Sequence, residues 1–166
     1  MHTLETRSLS GLQFSLQNPY SRPTLFTYRM DPMPTSLLLK IGAVGLFGAL
    51  GALARFGVYG LVRHFGWTGF PWATFTVNML GCLLFGLFVS LAEHRFEFSE
   101  LTKVAVLVGF MGSFTTFSTF ALDGSTLLRE GQWLTATLYL GGQNVLGIGA
   151  IFLGLFLGRY IGMNHG

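Results

Sequence analysis

Charge is scarce in this chain. Asp, Glu, Lys and Arg make up 10% of its 166 residues, against about 25% in an ordinary soluble domain. With 51% apolar residues and a mean hydropathy of +0.55, a chain this short has too little interior to hide its apolar side chains from water. Its solvent is therefore lipid. Cysteine is nearly absent too: Cys82 stands alone in an apolar run with no His or Cys companion, which excludes an internal disulfide and a thiolate metal site. A basic block is also missing. Ten Lys and Arg against seven Asp and Glu give a formal charge of +3 and a pI near 9.4, but they are scattered. No run of them could follow a phosphate backbone, so nucleic acid is not an expected partner.

What is present is long apolar runs. A helix needs roughly 20 residues to cross about 30 Å of hydrocarbon, and four stretches qualify: 37–62, 72–92, 101–128 and 133–158. The expected fold is an all-α membrane protein with four transmembrane helices, multi-pass in the cell (inner) membrane. The first span stops at Arg63 and His64, before the turn-like Gly66-Trp67-Thr68-Gly69-Phe70-Pro71. The distinctly polar loop is Glu93 to Glu100, where Ser99 or Glu100 is placed to start the next helix. Trp67, Trp72 and Trp133 fall at expected membrane interfaces, as amphipathic indoles do.

Residues 1–36 read differently. They are polar, contain Pro19, Pro23, Pro32 and Pro34, and lack a helical or alternating apolar period. The expectation is a disordered leader preceding a four-helix domain at 37–162, with Met30 or Met33 as alternative starts. It lacks the basic start, apolar run and small-residue cleavage site of a signal peptide. Four spans put both termini and the second loop on one side, with Lys40, Arg95, Lys103 and Arg159 there and Arg63 and Arg129 opposite. Lys and Arg placement sets orientation. A bias this weak permits either insertion, both at once, or a single orientation set by four against two.

Gly42, Gly45, Gly48 and Gly51 recur every third residue in the first span, followed by Gly57 and Gly60, and the fourth ends in Gly154, Gly158 and Gly162. Lipid supplies no hydrophobic force between helices, so small residues that let backbones touch are read as packing surface. The third span runs Gly109-Phe110-Met111-Gly112-Ser113-Phe114-Thr115-Thr116-Phe117-Ser118-Thr119-Phe120. Glycines with β-branched and hydroxyl residues at mid-membrane suggest unwound backbone around Gly112 to Thr115. Lipid tolerates that only where it is buried in protein or lines a polar cavity. Freed carbonyls there could hold a small cation, and a half-helix amino end could attract an anion. The alternative is a continuous helix whose hydroxyls bond the preceding turn.

Phe117 and Phe120 lie three apart and share a face if helix resumes. Aromatic edges are positive, so a ring pair can meet a partly dehydrated anion, or simply pack. Asn78 sits at mid-depth of the second span, and Thr135, Tyr139 and Gln143 follow at four-residue spacing in the fourth. Each is either a lining group or interhelical glue. Away from the span ends, the second and fourth spans carry no ionisable group, the third carries Asp123 and the first Arg55.

These residues resemble the Fluc, or CrcB, family of fluoride ion channels. The similarity covers 37–158, and its most specific piece is the glycine-rich stretch ending in Thr115-Thr116-Phe117-Ser118-Thr119-Phe120. Asn78 in Val-Asn-Met-Leu-Gly and Gly51-Ala-Leu-Ala-Arg55 support it. The resemblance implies an antiparallel, dual-topology homodimer with two pores, which fits the weak charge bias. It implies that Phe117 and Phe120 line the fluoride path with their edges, that Asn78 donates to the ion, and that Thr119, Tyr139 and Gln143 line the track. It also implies that Arg55 makes the pore mouth positive and that the Gly112 and Thr115 carbonyls of both subunits hold a structural sodium ion. Gln143, Gly147 and Asp123 depart from the family pattern of small hydroxyls and Glu.

The chemistry is consistent with passive export rather than catalysis. Fluoride is strongly hydrated, so a pore must replace its water with donors at each point. Neutral donors hold it weakly enough to let it leave. The alternative, a proton-coupled small multidrug-type exporter, needs a carboxylate embedded in the first helix, and the run 37–62 has none.

Overall fold

The computed structural model describes residues 34–94 and 96–163. The expected leader lies almost wholly outside the described residues. They form six α-helices and one π-helical segment: α1 (Pro34–His64), α2 (Trp72–His94), α3 (Glu100–Val104), the π-segment Ala105–Met111, α4 (Gly112–Phe114), α5 (Phe117–Arg129) and α6 (Trp133–Met163). Four stretches are long and apolar enough to cross a membrane: Ser36–His64, Trp72–Glu93, Glu100–Arg129 and Trp133–Gly162. The protein is a multi-pass membrane protein.

The ends of these helices follow local chemistry. α1 begins three residues before the expected start, at Pro34, whose fixed φ and missing N–H suit a first helical position. It stops where Gly66 takes a left-handed φ of +65° and donates to the Arg63 carbonyl at 3.0 Å. Ser99 caps α3 by accepting from the Thr102 amide at 3.2 Å. α5 ends at Gly131, with φ +73°, where the Gln132 amide reaches back to the Leu127 carbonyl at 2.9 Å. α6 runs five residues past the expected 158, to Met163, because Arg159 sits at the span's end and does not stop the helix.

Two glycine-mediated contacts carry the packing. α2 lies along α6, where a Cβ on Gly86 would overlap the Ile151 carbonyl and one on Gly154 the Leu83 carbonyl. α1 lies along the π-segment, where a Cβ on Gly51 would overlap the Phe110 carbonyl. These are backbone-to-backbone approaches of the kind that lipid-embedded helices use. The other first-span glycines differ from the expectation of one packing stripe. Gly42, Gly45, Gly57 and Gly60 have open space where a Cβ would stand. The outward surface is apolar, with Leu38, Phe56, Leu134 and Phe152 exposed, as suits contact with lipid. A core of Phe120, Leu127, Ala136 and Tyr139 joins α5 to α6, backed by Phe70, Phe75 and Leu140.

Candidate functional site: an uncharged polar spine beside an extended pair of residues

Within the third span, Thr115 (φ −78°, ψ 160°) and Thr116 (φ −147°, ψ 111°) have extended backbone. The sequence placed non-helical backbone at Gly112 to Thr115, but Gly112, Ser113 and Phe114 are helical. The reason lies in local bonding. The Thr115 amide and hydroxyl both donate to the Met111 carbonyl, at 3.1 and 2.9 Å. That keeps the turn before it helical despite its glycine.

Extended backbone inside a span leaves peptide groups without helical partners, and each costs several kcal/mol in hydrocarbon unless satisfied. Asn78 of α2 supplies the partners. Its Oδ1 accepts from the Thr116 amide at 2.8 Å and its Nδ2 donates to the Thr116 carbonyl at 3.1 Å. One side-chain amide thus satisfies both backbone groups of one residue, as a neighbouring strand would. A side-chain amide carries a second N–H, so the donor expected of Asn78 is compatible with this clamp. Thr116 then caps α5: its Oγ1 accepts from the Thr119 amide at 3.3 Å and pairs with Thr119 Oγ1 at 2.9 Å.

These bonds also spare two carbonyls. In an unbroken helix the amides of Thr116 and Thr119 would close onto the carbonyls of Gly112 and Thr115. Here those amides point instead to Asn78 Oδ1 and Thr116 Oγ1.

Phe117 and Phe120 open α5 with ring centroids 5.8 Å apart and tilted by 51°. Their surroundings differ sharply: Phe117 is 79% exposed in the single chain and Phe120 only 8%. Phe120 leans on Tyr139 at 5.3 Å, and Tyr139 meets Phe70 edge-on at 5.4 Å. Gln143, one turn along α6 from Tyr139, is 7% exposed, and its Oε1 has no hydrogen-bond partner among the described residues.

Sequence reasoning missed the carboxylate that braces Tyr139 from beside this spine. Asp123 Oδ2 accepts from Thr74 Oγ1 at 2.7 Å and from the Tyr139 hydroxyl at 3.1 Å. Thr74 spends its single proton on Asp123, so the Tyr59 hydroxyl, 2.8 Å away, is the donor to Thr74. The pattern was available: Thr74 stands four residues before Asn78, and Tyr59 four after Arg55, each on its neighbour's helix face. Arg55 lies apart from this network, in an open cleft of about 320 Å³ lined by Ala52, Arg55, Phe56, Tyr59, Arg63 and Thr119. Asn78 and Thr119 are thus linked through Thr116, and Phe117, Phe120 and Tyr139 through their rings. Arg55 reaches the group through the cleft it shares with Thr119.

Four apolar spans enclosing hydroxyls, amides and aromatic rings define a helical, multi-pass membrane protein. Residues 42–155 match the family described as CrcB-like protein, Camphor Resistance (CrcB), and the chain belongs to that family. A fluoride-specific ion channel FluC of Nitratidesulfovibrio vulgaris (strain Miyazaki F) is 48% identical over 122 residues, which cover 74% of this chain and 98% of that protein. The FluC of Solidesulfovibrio magneticus is 44% identical over 125 residues, covering 75% and 100%. That of Nitrosococcus oceani is 50% identical over 92 residues, covering 55% and 74%.

Proposed function

We propose that this chain conducts fluoride passively across the membrane and so relieves the cytoplasm of it. The observation that carries the reading is the near-full-length similarity to a FluC channel, at 48% identity over 98% of that relative. The extended pair at Thr115 and Thr116 supports it, because non-helical backbone at membrane depth lines polar paths.

In this reading the third span is functionally broken, and the ion passes the start of α5. The second N–H of Asn78, the hydroxyls of Thr119 and Tyr139, the Gln143 amide and the edges of Phe117 and Phe120 replace its water a little at a time. None bears a full charge, so none traps the anion. An inside-negative potential drives it outward with about 2.3 kcal/mol per 100 mV.

The functional unit is an antiparallel, dual-topology homodimer. A second copy would cover Phe117, which is 79% exposed in one chain, and the near-balanced Lys and Arg placement suits insertion in both directions. A sodium ion fits the Gly112 and Thr115 carbonyls, because their helical amide partners are diverted elsewhere. Hard oxygen donors suit such a cation, and among the described residues no cluster of three or more His, Cys, Asp or Glu competes for a metal. When bound, the ion would hold the two subunits' carbonyls together, a structural role.

The test is efflux from liposomes containing purified protein, read with fluoride and chloride electrodes. Fluoride release with chloride retained is expected, and Phe117→Ile and Phe120→Ile should each slow it at least tenfold while the oligomer persists on size-exclusion chromatography. Equal release of both halides would defeat the reading.

A further inference from the structure

We infer that Phe70, in the loop between α1 and α2, is a positioning residue of the ion path: it sets the tilt of the Tyr139 ring and, through it, that of Phe120. This deepens the proposed function and rests on it.

The loop is built to turn one ring inward. Gly69 takes a left-handed φ of +81°, and Pro71 biases the residue before it toward extended backbone. The Phe70 carbonyl accepts from the Trp72 amide at 2.7 Å, and the Pro71 carbonyl accepts from the Phe75 amide at 3.1 Å. α2 thus starts at Trp72 with Pro71 in the capping position and Phe70 just before it. A residue there packs against the fourth residue of the helix and fixes the angle at which the chain enters. That fourth residue is Phe75, and the two rings meet at 5.7 Å with their planes at 70°. Two other rings of the loop stay outside, Phe65 at 60% and Trp67 at 54% exposed, while Phe70 is half-buried.

Stapled to α2 in this way, Phe70 reaches across to α6. Its ring lies 5.4 Å from that of Tyr139 with planes at 84°, and it backs the core of Phe120, Leu127, Ala136 and Tyr139. Tyr139 is fully buried and is held at three points: by Phe70, by Phe120 at 5.3 Å, and at its hydroxyl, which donates to Asp123 at 3.1 Å. The hydroxyl bond fixes only the tip. It lies on the axis about which the ring turns, and that torsion is soft in tyrosine. The tilt is therefore set by the ring contacts, which among the described residues are those with Phe70 and Phe120.

Tilt matters because an aromatic ring is positive at its edge and negative on its face. A quarter turn converts attraction for an anion into repulsion. Phe120 leans on Tyr139 and is itself tilted by 51° to Phe117, so a change at Tyr139 passes to the pair at the start of α5. Residue 70 needs neither charge nor hydrogen bond for this task. It needs a ring, and an aliphatic side chain of similar bulk fills the place without setting the tilt.

The experiment measures initial fluoride efflux from liposomes holding the full chain, per mole of protein recovered as monodisperse oligomer, so that lost stability alone does not move the rate. Phe70→Leu is expected to slow efflux about fivefold, the scale of one lost aromatic pair. Phe70→Met, which fills space without a ring, is read alongside it, so that one misfolded variant does not end the test. Phe70→Tyr keeps the ring and most of the rate, and Phe65→Leu, the same change at the exposed ring of the loop, leaves the rate unaltered. In a Phe120→Ile background Phe70→Leu should add less than a further twofold loss, because the ring it positions is already gone. A full rate in both Phe70→Leu and Phe70→Met, no recovery in Phe70→Tyr, an equal loss in Phe65→Leu, or independent losses in the double variant would each overturn the positioning role. Those outcomes leave the channel reading standing. Failure of the unsubstituted protein to release fluoride would defeat that reading, and the role of Phe70 with it.

Discussion

The contact between α2 and α6 and the middle of the third span solve the same problem in opposite ways. Both bring backbone close to a neighbouring helix inside the membrane. Between α2 and α6 every turn stays helical, and glycines at 86 and 154 remove the side chains that would hold the helices apart. At Thr115 and Thr116 the helical ladder is given up, and polar side chains from elsewhere finish the peptide bonds. Close packing without polar groups yields a rigid wall. Backbone opened and then satisfied by side chains yields a polar seam between the helices.

The sharpest way to break this comparison is to remove the clamp. Asn78→Ala leaves the amide and carbonyl of Thr116 without their partners, at about 1–3 kcal/mol for each buried group, so about 2–6 kcal/mol of stability should be lost together with fluoride flux. Thermal unfolding in detergent alongside efflux reads both. A variant of unchanged stability would show that the clamp does not hold the extended pair.

On the opposite side of the comparison, Gly154→Ala places a Cβ against the backbone of Leu83 and Leu87. Overpacking of this kind costs about 1–3 kcal/mol, and the yield of monodisperse protein should fall with it. Wild-type stability would show that α2 and α6 are free to separate. The smallest change is expected from Gly60→Ala, where open space meets the new methyl group. Ala is favoured over Gly in a helix by up to about 1 kcal/mol, so stability should hold or rise. A large loss would place that position in a contact made by a second copy.

Most of the architecture was legible in the sequence, because a span is a property of one continuous apolar run and needs no knowledge of neighbours. Helix ends shifted by two or three residues at Pro34 and His64, where local capping decides, and by five at Met163. The position of the extended pair was legible only in part. Glycine content drew attention to Gly112, yet the deciding interaction comes from Asn78, 38 residues away along the chain. The Asp123, Thr74 and Tyr59 chain stayed hidden for the same reason, since three helices must meet before Tyr59 can reach Thr74 and Thr74 can reach Asp123. Phe117 and Phe120 share a face as their spacing requires, but their unequal exposure follows from packing on α6, which spacing does not encode.

The central claim is selective passage of fluoride along the uncharged spine, and the reversal potential of protein reconstituted in a planar bilayer tests it most directly. With a tenfold fluoride gradient, equal chloride and equal pH on both sides, the account predicts reversal near the fluoride equilibrium potential, about 59 mV for a univalent ion. Reversal near zero, or a potential that follows an imposed pH difference instead, would contradict it.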